Sequence, residues 1–183
     1  LKSKVVFVFG GVMDIAQDMP NIIRLIKSTY NLPNIFFLFM GTGSQIKNIK
    51  DKFNLYNIKN FLILENLPTE DYYFLLNYCS VGLVSLSPSF KTQNFPGKIL
   101  SYMSAGIPIL GSINKGNDLK DIIELNNCGL ISINKNDDDF KNNAIKLYND
   151  QNYRNFLGKN SETILKQEFT TEIACEKIIK LVN

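Results

Sequence analysis

Val5-Val6-Phe7-Val8-Phe9-Gly10-Gly11 is an unbroken run of β-branched and aromatic residues halted by two glycines. A stretch this short with no polar alternation reads as a strand buried on both faces, as a parallel sheet requires. A helix-period segment follows from about Gln17 to Tyr30, with Ile22, Ile23, Leu25 and Ile26 on its buried side and Pro20 in its first turn. The cycle then repeats: strand 35–40, turn Gly41-Thr42-Gly43, helix 45–53; strand 61–64, helix 70–78 capped by Thr69; strand 81–86. After a polar loop from Ser87 to Phe95 come a helix over 96–105, a strand at 108–110, a helix over 118–126 and a strand at 130–133. Helices over 137–149, 151–169 and 171–182 close the chain. The pattern predicts one α/β domain over residues 1–183, a Rossmann-like, doubly wound parallel sheet of six strands with a C-terminal helical tail.

Composition restricts what such a domain does. The chain has 183 residues, 45% hydrophobic and 20% charged, which excludes disorder and fits one folded domain. The net charge is only +3 and its basic residues are scattered, so nucleic acid is not an expected partner and a small molecule is. With no histidine there can be no Ser-His-Asp triad, imidazole base or His-ligated zinc from this chain. Cys79, Cys128 and Cys175 lie far apart and form no CxxC, which suggests core residues in a reducing cytoplasm. The chain opens on Leu1 almost directly into a strand, so it is expected to be a piece of a longer protein.

In a doubly wound sheet the ligand binds beyond the carboxyl ends of the strands. Gly10 and Gly11 leave the first strand there, either as an ordinary strand exit or to bring the backbone against a phosphate. No GxGxxG or acidic residue suits a nicotinamide cofactor, and Gly41-Thr42-Gly43-Ser44 reads as a turn and helix start. The stretch Phe95-Pro96-Gly97-Lys98-Ile99-Leu100-Ser101 is more informative. Proline and glycine at a helix start leave amides free for a diphosphate, Lys98 adds a positive charge, and Ser101 shares its face. Asn136-Asp137-Asp138-Asp139 reads as a cap and first turn rather than a metal site, and Glu65 with Asp71 is given no catalytic role. The stripe Ile173, Ala174, Ile178 and Val182 is expected to pack locally.

From Pro96 to Leu110 the sequence PGKILSYMSAGIPIL is similar to the Pro-Ser-Lys, helix, Ala-Gly-x-Pro-Ile pattern of the nucleotide-sugar-binding half of bacterial family 4 glycosyltransferases, which have the two-domain GT-B fold. Upstream, Asn66-Leu67-Pro68 with Tyr72 to Cys79 resembles the turn and helix before the strand that feeds the donor loop. Ala16 to Asn21 and Gly116-Asn117-Asp118-Leu119 look most like members that build O-antigen or capsule, including N-acetylfucosamine-type transferases.

The resemblance implies that Glu65, Asn66 and Leu67 hold the nucleobase, that Phe95, Pro96, Gly97 and Lys98 face the sugar and diphosphate, and that Asn117 and Asp118 border the cleft. Gly10, Gly11 and Gln17 join this set, with Gln17, Asn117 and Asp118 as candidates for sugar selectivity. Two glutamates common in the family correspond to Gln93 and Ser101, leaving Ser101 to replace a carboxylate at the ribose. An arginine and a lysine that neutralise the diphosphate correspond to Val12 and Gln17, so Lys98, the expected catalytic residue, carries more of that task. The implied activity is transfer of a sugar, an N-acetylated hexose, from a UDP-sugar to a lipid-linked saccharide with retention and without a metal or other cofactor. The acceptor would reach a domain outside this chain, with peripheral membrane association of the whole protein at the inner face of the cytoplasmic membrane. A nucleotide-sugar epimerase or hydrolase half and a noncatalytic nucleotide-binding module are the competing readings.

Overall fold

The computed structural model describes residues 3–89 and 93–182, so the middle of the loop expected between Ser87 and Phe95 lies outside the described residues. Six strands, β1 (Val5–Gly10), β2 (Ile35–Met40), β3 (Phe61–Leu64), β4 (Val81–Ser85), β5 (Ile109–Ile113) and β6 (Gly129–Ile133), form one parallel sheet in the order β3-β2-β1-β4-β5-β6. The α-helices among the described residues are α1 (Met19–Thr29), α2 (Ile46–Leu55), α3 (Thr69–Leu76), α4 (Lys98–Ser104), α5 (Leu119–Leu125), α6 (Asp137–Asn149), α7 (Gln151–Glu168) and α8 (Thr171–Val182). The expected doubly wound architecture and helical tail are both present.

Side-chain alternation along the strands builds two cores. Phe7 and Phe9 of β1 stand in register with Phe37 and Phe39 of β2, their ring centres 6.0 and 6.2 Å apart, and face α1, α2 and α6. Val6, Val8, Leu38 and Met40 point the other way, into a core closed by α3, α4 and α5. All four apolar residues expected on the inner side of α1 are buried.

Several boundaries differ from expectation. The segment read as a helix from Gln17 begins instead with a short 3-10 turn at Ile15–Gln17, and Asp18 then takes a left-handed conformation (φ +43°) before α1 starts. Pro20 in the first turn of α1 and the Asp14 side chain, which accepts the Gln17 N–H, separate the two. Thr69 is the first residue of α3 and not its cap, a place taken by Pro68. β5 runs on through Gly111 and Ser112, which look like a strand exit but are buried, with Ile131 filling the space a Gly111 side chain would need. Cys79 and Cys128 are buried as expected, whereas Cys175 is exposed on α8. Of the tail stripe, Ile173 is half-buried while Ala174 and Ile178 are exposed, and the Val182 side chain lies outside the described residues. Among the described residues no helix is long and apolar enough to cross a membrane.

The strand order reverses between β1 and β4, where the paired positions are Phe7 with Val81 and Val8 with Gly82. Beyond them Tyr102 of α4, wholly buried, inserts its hydroxyl: it accepts from the Gly10 N–H (2.9 Å) and lies 3.2 and 3.3 Å from the carbonyls of Leu83 and Val8, to which it donates. The ring lies over Gly82, where any Cβ would collide with it. Tyr102→Phe removes the hydroxyl and leaves a buried amide unpaired, so it should cost about 1–3 kcal/mol in chemical denaturation. Gly82→Ala should destabilise at least as much, because the obstacle is a packed ring.

Candidate functional site

A cavity of about 400 Å³ opens at the carboxyl ends of β1, β2 and β3. Its walls are Gly11 and Val12 after β1; Met40, Gly41 and Thr42 at the end of β2; Asn66, Leu67 and Thr69 after β3; Tyr72 and Tyr73 of α3; and Lys98 and Ser101 of α4. The first two exits are laced together by their backbones. Gly11 N–H donates to Met40 O, Met13 N–H to Thr42 O and Gln45 N–H to Met13 O, at 2.8, 2.7 and 3.0 Å. This contact explains the glycines of the second turn: Gly41 and Gly43 have φ of +147° and +149°, and a side chain on either would run into the carbonyl of Gly11 or Met13.

Among the described residues Lys98 is the charged side chain in the cavity wall. Tyr102, one turn further along α4, fixes the helix, and the Lys98 side chain passes the open face of Gly11, where a Cβ would lie 3.7 Å from its Cε. The ammonium sits 3.6 Å from the centre of the Phe9 ring and donates to Gln17 Oε1 at 2.8 Å. Part of the side chain still touches solvent, but burial of its end lowers the pKa from 10.5 to about 7, against the opposing pull of the Asp14 charge. The ion pairs among the described residues, Arg24–Asp137, Lys50–Glu65 and Lys120–Glu124, all lie elsewhere, and no carboxylate lines the cavity.

Of the residues expected here, Gly11, Asn66, Leu67, Lys98 and Ser101 line the cavity, and Gln17 reaches it through Lys98. The others are engaged differently. Gly10 is buried: its amide goes to Tyr102, and the Tyr72 phenol fills the place of its side chain. Glu65 pairs with Lys50 at 3.0 Å. Phe95 packs on Phe169, ring centres 5.2 Å apart, and Pro96 is buried. Asn117 is buried, its amide oxygen accepting from Leu119 N–H and its amide nitrogen donating to Asn94 O. Gln93 clamps the same loop, donating to Gly116 O and accepting from Asp118 N–H, both at 3.0 Å. Asp118 is exposed outside the cavity wall.

The helix-start amides are fewer than expected. α4 begins at Lys98, and the amides of Ile99 and Leu100 already donate to the carbonyls of Pro96 and Gly97. Positive potential therefore rests on the ammonium more than on the helix. Gly97 has an ordinary φ of −57° and open space around it.

Tyr72 and Tyr73 are wall residues that the sequence showed only as part of a helix. Their rings meet edge to face at 5.4 Å, and the Tyr73 hydroxyl lies 3.5 Å from Ser101 Oγ. Burial raises the Tyr72 pKa, so it meets a ligand as a neutral hydroxyl. The available signal was their place in the first turns of a helix that leaves a strand's carboxyl end. Two backbone substitutions separate these roles. Gly97→Ala should be neutral or stabilising by about 0.4–1 kcal/mol, whereas Gly41→Ala should destabilise by more than that, both read by thermal unfolding.

The family of glycosyl transferases group 1 matches residues 2–163. The probable glycosyltransferase WbjE of Pseudomonas aeruginosa is 29% identical over 128 residues, covering 70% of this chain and 32% of its own length. The chain thus spans about a third of that relative. Anabaena Alr3699/HepE, solved in complex with UDP-glucose, superposes with a TM-score of 0.82 at 14% identity over 98% of this chain and 48% of its own. The C-terminal domain of the glycosyl transferase group 1 protein LpcC of Francisella tularensis gives 0.76 at 11% identity over 91% and 87%. At these identities the two structures show a shared fold. The family match covers most of the chain, and the chain belongs to the group 1 glycosyl transferases.

Proposed function

We propose that this domain binds the donor in a sugar-transfer reaction, a UDP-linked N-acetylated hexose whose diphosphate lies against Lys98. What carries it is an ammonium with no carboxylate partner among the described residues, held in a neutral, hydroxyl-rich cavity beyond the sheet's carboxyl ends. Such a cavity favours a ligand with concentrated negative charge at one end and uncharged polar groups elsewhere, as in a nucleoside diphosphate sugar. Thr42, Thr69, Tyr72, Tyr73 and Ser101 offer hydroxyls to ribose and base, beside the Asn66–Leu67 loop. The HepE complex supports this reading, since a domain of the same fold there accompanies UDP-glucose.

The chemistry this chain supplies is stabilisation of the departing UDP. As the glycosidic bond breaks, charge grows on the β-phosphate, and a protonated Lys98 already in place lowers the barrier without reorganisation. The chain has no histidine, and among the described residues no acid lines the cavity, so neither an imidazole nor a carboxylate base stands at its wall. Retention of configuration, independence of metal, a lipid-linked saccharide acceptor at the inner membrane face and a role in surface polysaccharide synthesis complete the proposal. They rest on the sequence resemblance, as does an acceptor domain outside this chain.

Lys98→Ala should weaken binding of UDP-N-acetylglucosamine by about 1.5–3 kcal/mol in calorimetry near pH 6, the worth of a charge-assisted contact. Unchanged affinity would remove the lysine from the site. Affinity of the wild type should also fall as the pH rises from about 6 to 8, because the ligand's phosphates stay ionised while the free lysine loses its proton near 7. The same titration acts oppositely on folding. Between about 7 and 10.5 the unfolded chain holds the Lys98 proton that the unliganded fold has released, so this group's contribution to stability rises with pH over that window.

A further inference from the structure

The partner of the Lys98 ammonium is an amide and not an acid, and the segment presenting it is firmly tied. Gln17 ends the 3-10 turn at Ile15–Gln17. The Asp14 side chain and carbonyl both accept from Gln17 N–H at 3.3 Å, and Asp18 N–H returns to Ile15 O at 3.2 Å. In addition Ala16 O accepts from Ser87 N–H at 2.9 Å, which fastens the turn to the exit of β4. The Gln17 side chain thus extends from a short turn tied to Asp14 beyond β1 and to Ser87 beyond β4, and meets a lysine 81 positions away.

We infer that Gln17 is a positioning residue for the donor diphosphate: its amide oxygen holds the Lys98 ammonium over the Phe9 ring without neutralising it, so that the ligand provides the counter-charge. This rests on the donor reading above. A carboxylate at the same place would form an internal ion pair and repel phosphate. A side chain without an acceptor would free a flexible ammonium to move among rotamers, and ordering it again would oppose binding. The other titratable groups around Lys98 are Asp14 on the turn, Tyr72 and Tyr73 across the cavity and Tyr102 on its own helix. Among the described residues none is an ion-pair partner of Lys98, so the Gln17 oxygen, with the Phe9 ring beneath, sets where the charge points.

The test measures UDP-N-acetylglucosamine binding by calorimetry at pH 6, 7 and 8 for wild type, Lys98→Ala, Gln17→Glu and Gln17→Met, with thermal unfolding as the check on folding. At pH 6 Gln17→Glu should bind about tenfold or more weakly and Gln17→Met a few-fold more weakly. The decisive readout is the pH profile, which a merely structural role would not move. Wild type should lose affinity towards pH 8, while Gln17→Glu, whose carboxylate keeps the lysine protonated, should be nearly flat. If Gln17→Glu does not fold, a weakened Gln17→Met alone supports the inference. Folded variants that bind like wild type with its pH profile, beside a weakened Lys98→Ala, would overturn the inference and leave the donor reading intact. A wild type that binds no UDP-sugar, or binds it independently of Lys98, would overturn the donor reading and this inference with it.

Discussion

One buried hydroxyl determines how the site is assembled. Where the strand order reverses, β1 and β4 stop exchanging backbone hydrogen bonds, and unpaired groups inside a protein are costly. Tyr102 resolves this by taking the Gly10 amide and facing the Val8 and Leu83 carbonyls. Because it does so from α4, the same bonds fix that helix against the sheet, and with it Lys98, four residues earlier on the same helical face. Gly82 exists to admit the ring and Gly10 to admit Tyr72 behind it. The glycines at the switch point therefore serve the scaffold, while Gly11, with φ of +93°, leaves the lysine's path open.

The electrostatic consequence is that, among the described residues of the cavity wall, one charge stands in an otherwise uncharged lining. Most lysines lie where water solvates them, but this one is aimed inward, over an aromatic face and onto an amide oxygen. Burial that lowers its pKa also raises the value of any anion that restores the charge, since the local dielectric is low. The loops after β4 and β5 contribute differently. Gln93, Asn94, Asn117 and Asp118 bond to one another and form a stiff border rather than a set of free donors.

What the sequence revealed follows from where the signals are local. β2 and β3, α6 and α8 have the bounds read from periodicity, because apolar runs and caps are properties of neighbouring residues. Lys98 and Ser101 emerged from one short segment, and the cavity walls contain them. The contacts that define the site span 81 residues for Gln17 and Lys98 and 92 for Gly10 and Tyr102, and no pattern within a window carries such information. Gly10 and Asn117 illustrate this: a glycine at a strand exit and an asparagine before a helix look available in sequence, whereas in the fold Tyr102 takes the Gly10 amide and Leu119 and Asn94 engage the Asn117 side chain. Tyr72 and Tyr73 were missed because an aromatic within a helix usually serves the core.

Donor binding in this cavity turns on the diphosphate meeting Lys98. The most direct measurement is a crystal structure of the protein soaked with UDP-N-acetylglucosamine near pH 6. A diphosphate oxygen should lie about 2.7–3.0 Å from Lys98 Nζ, with the nucleoside between the Asn66–Leu67 loop and the tyrosines of α3. A UDP-sugar bound with no phosphate oxygen in hydrogen-bond reach of that ammonium would contradict it.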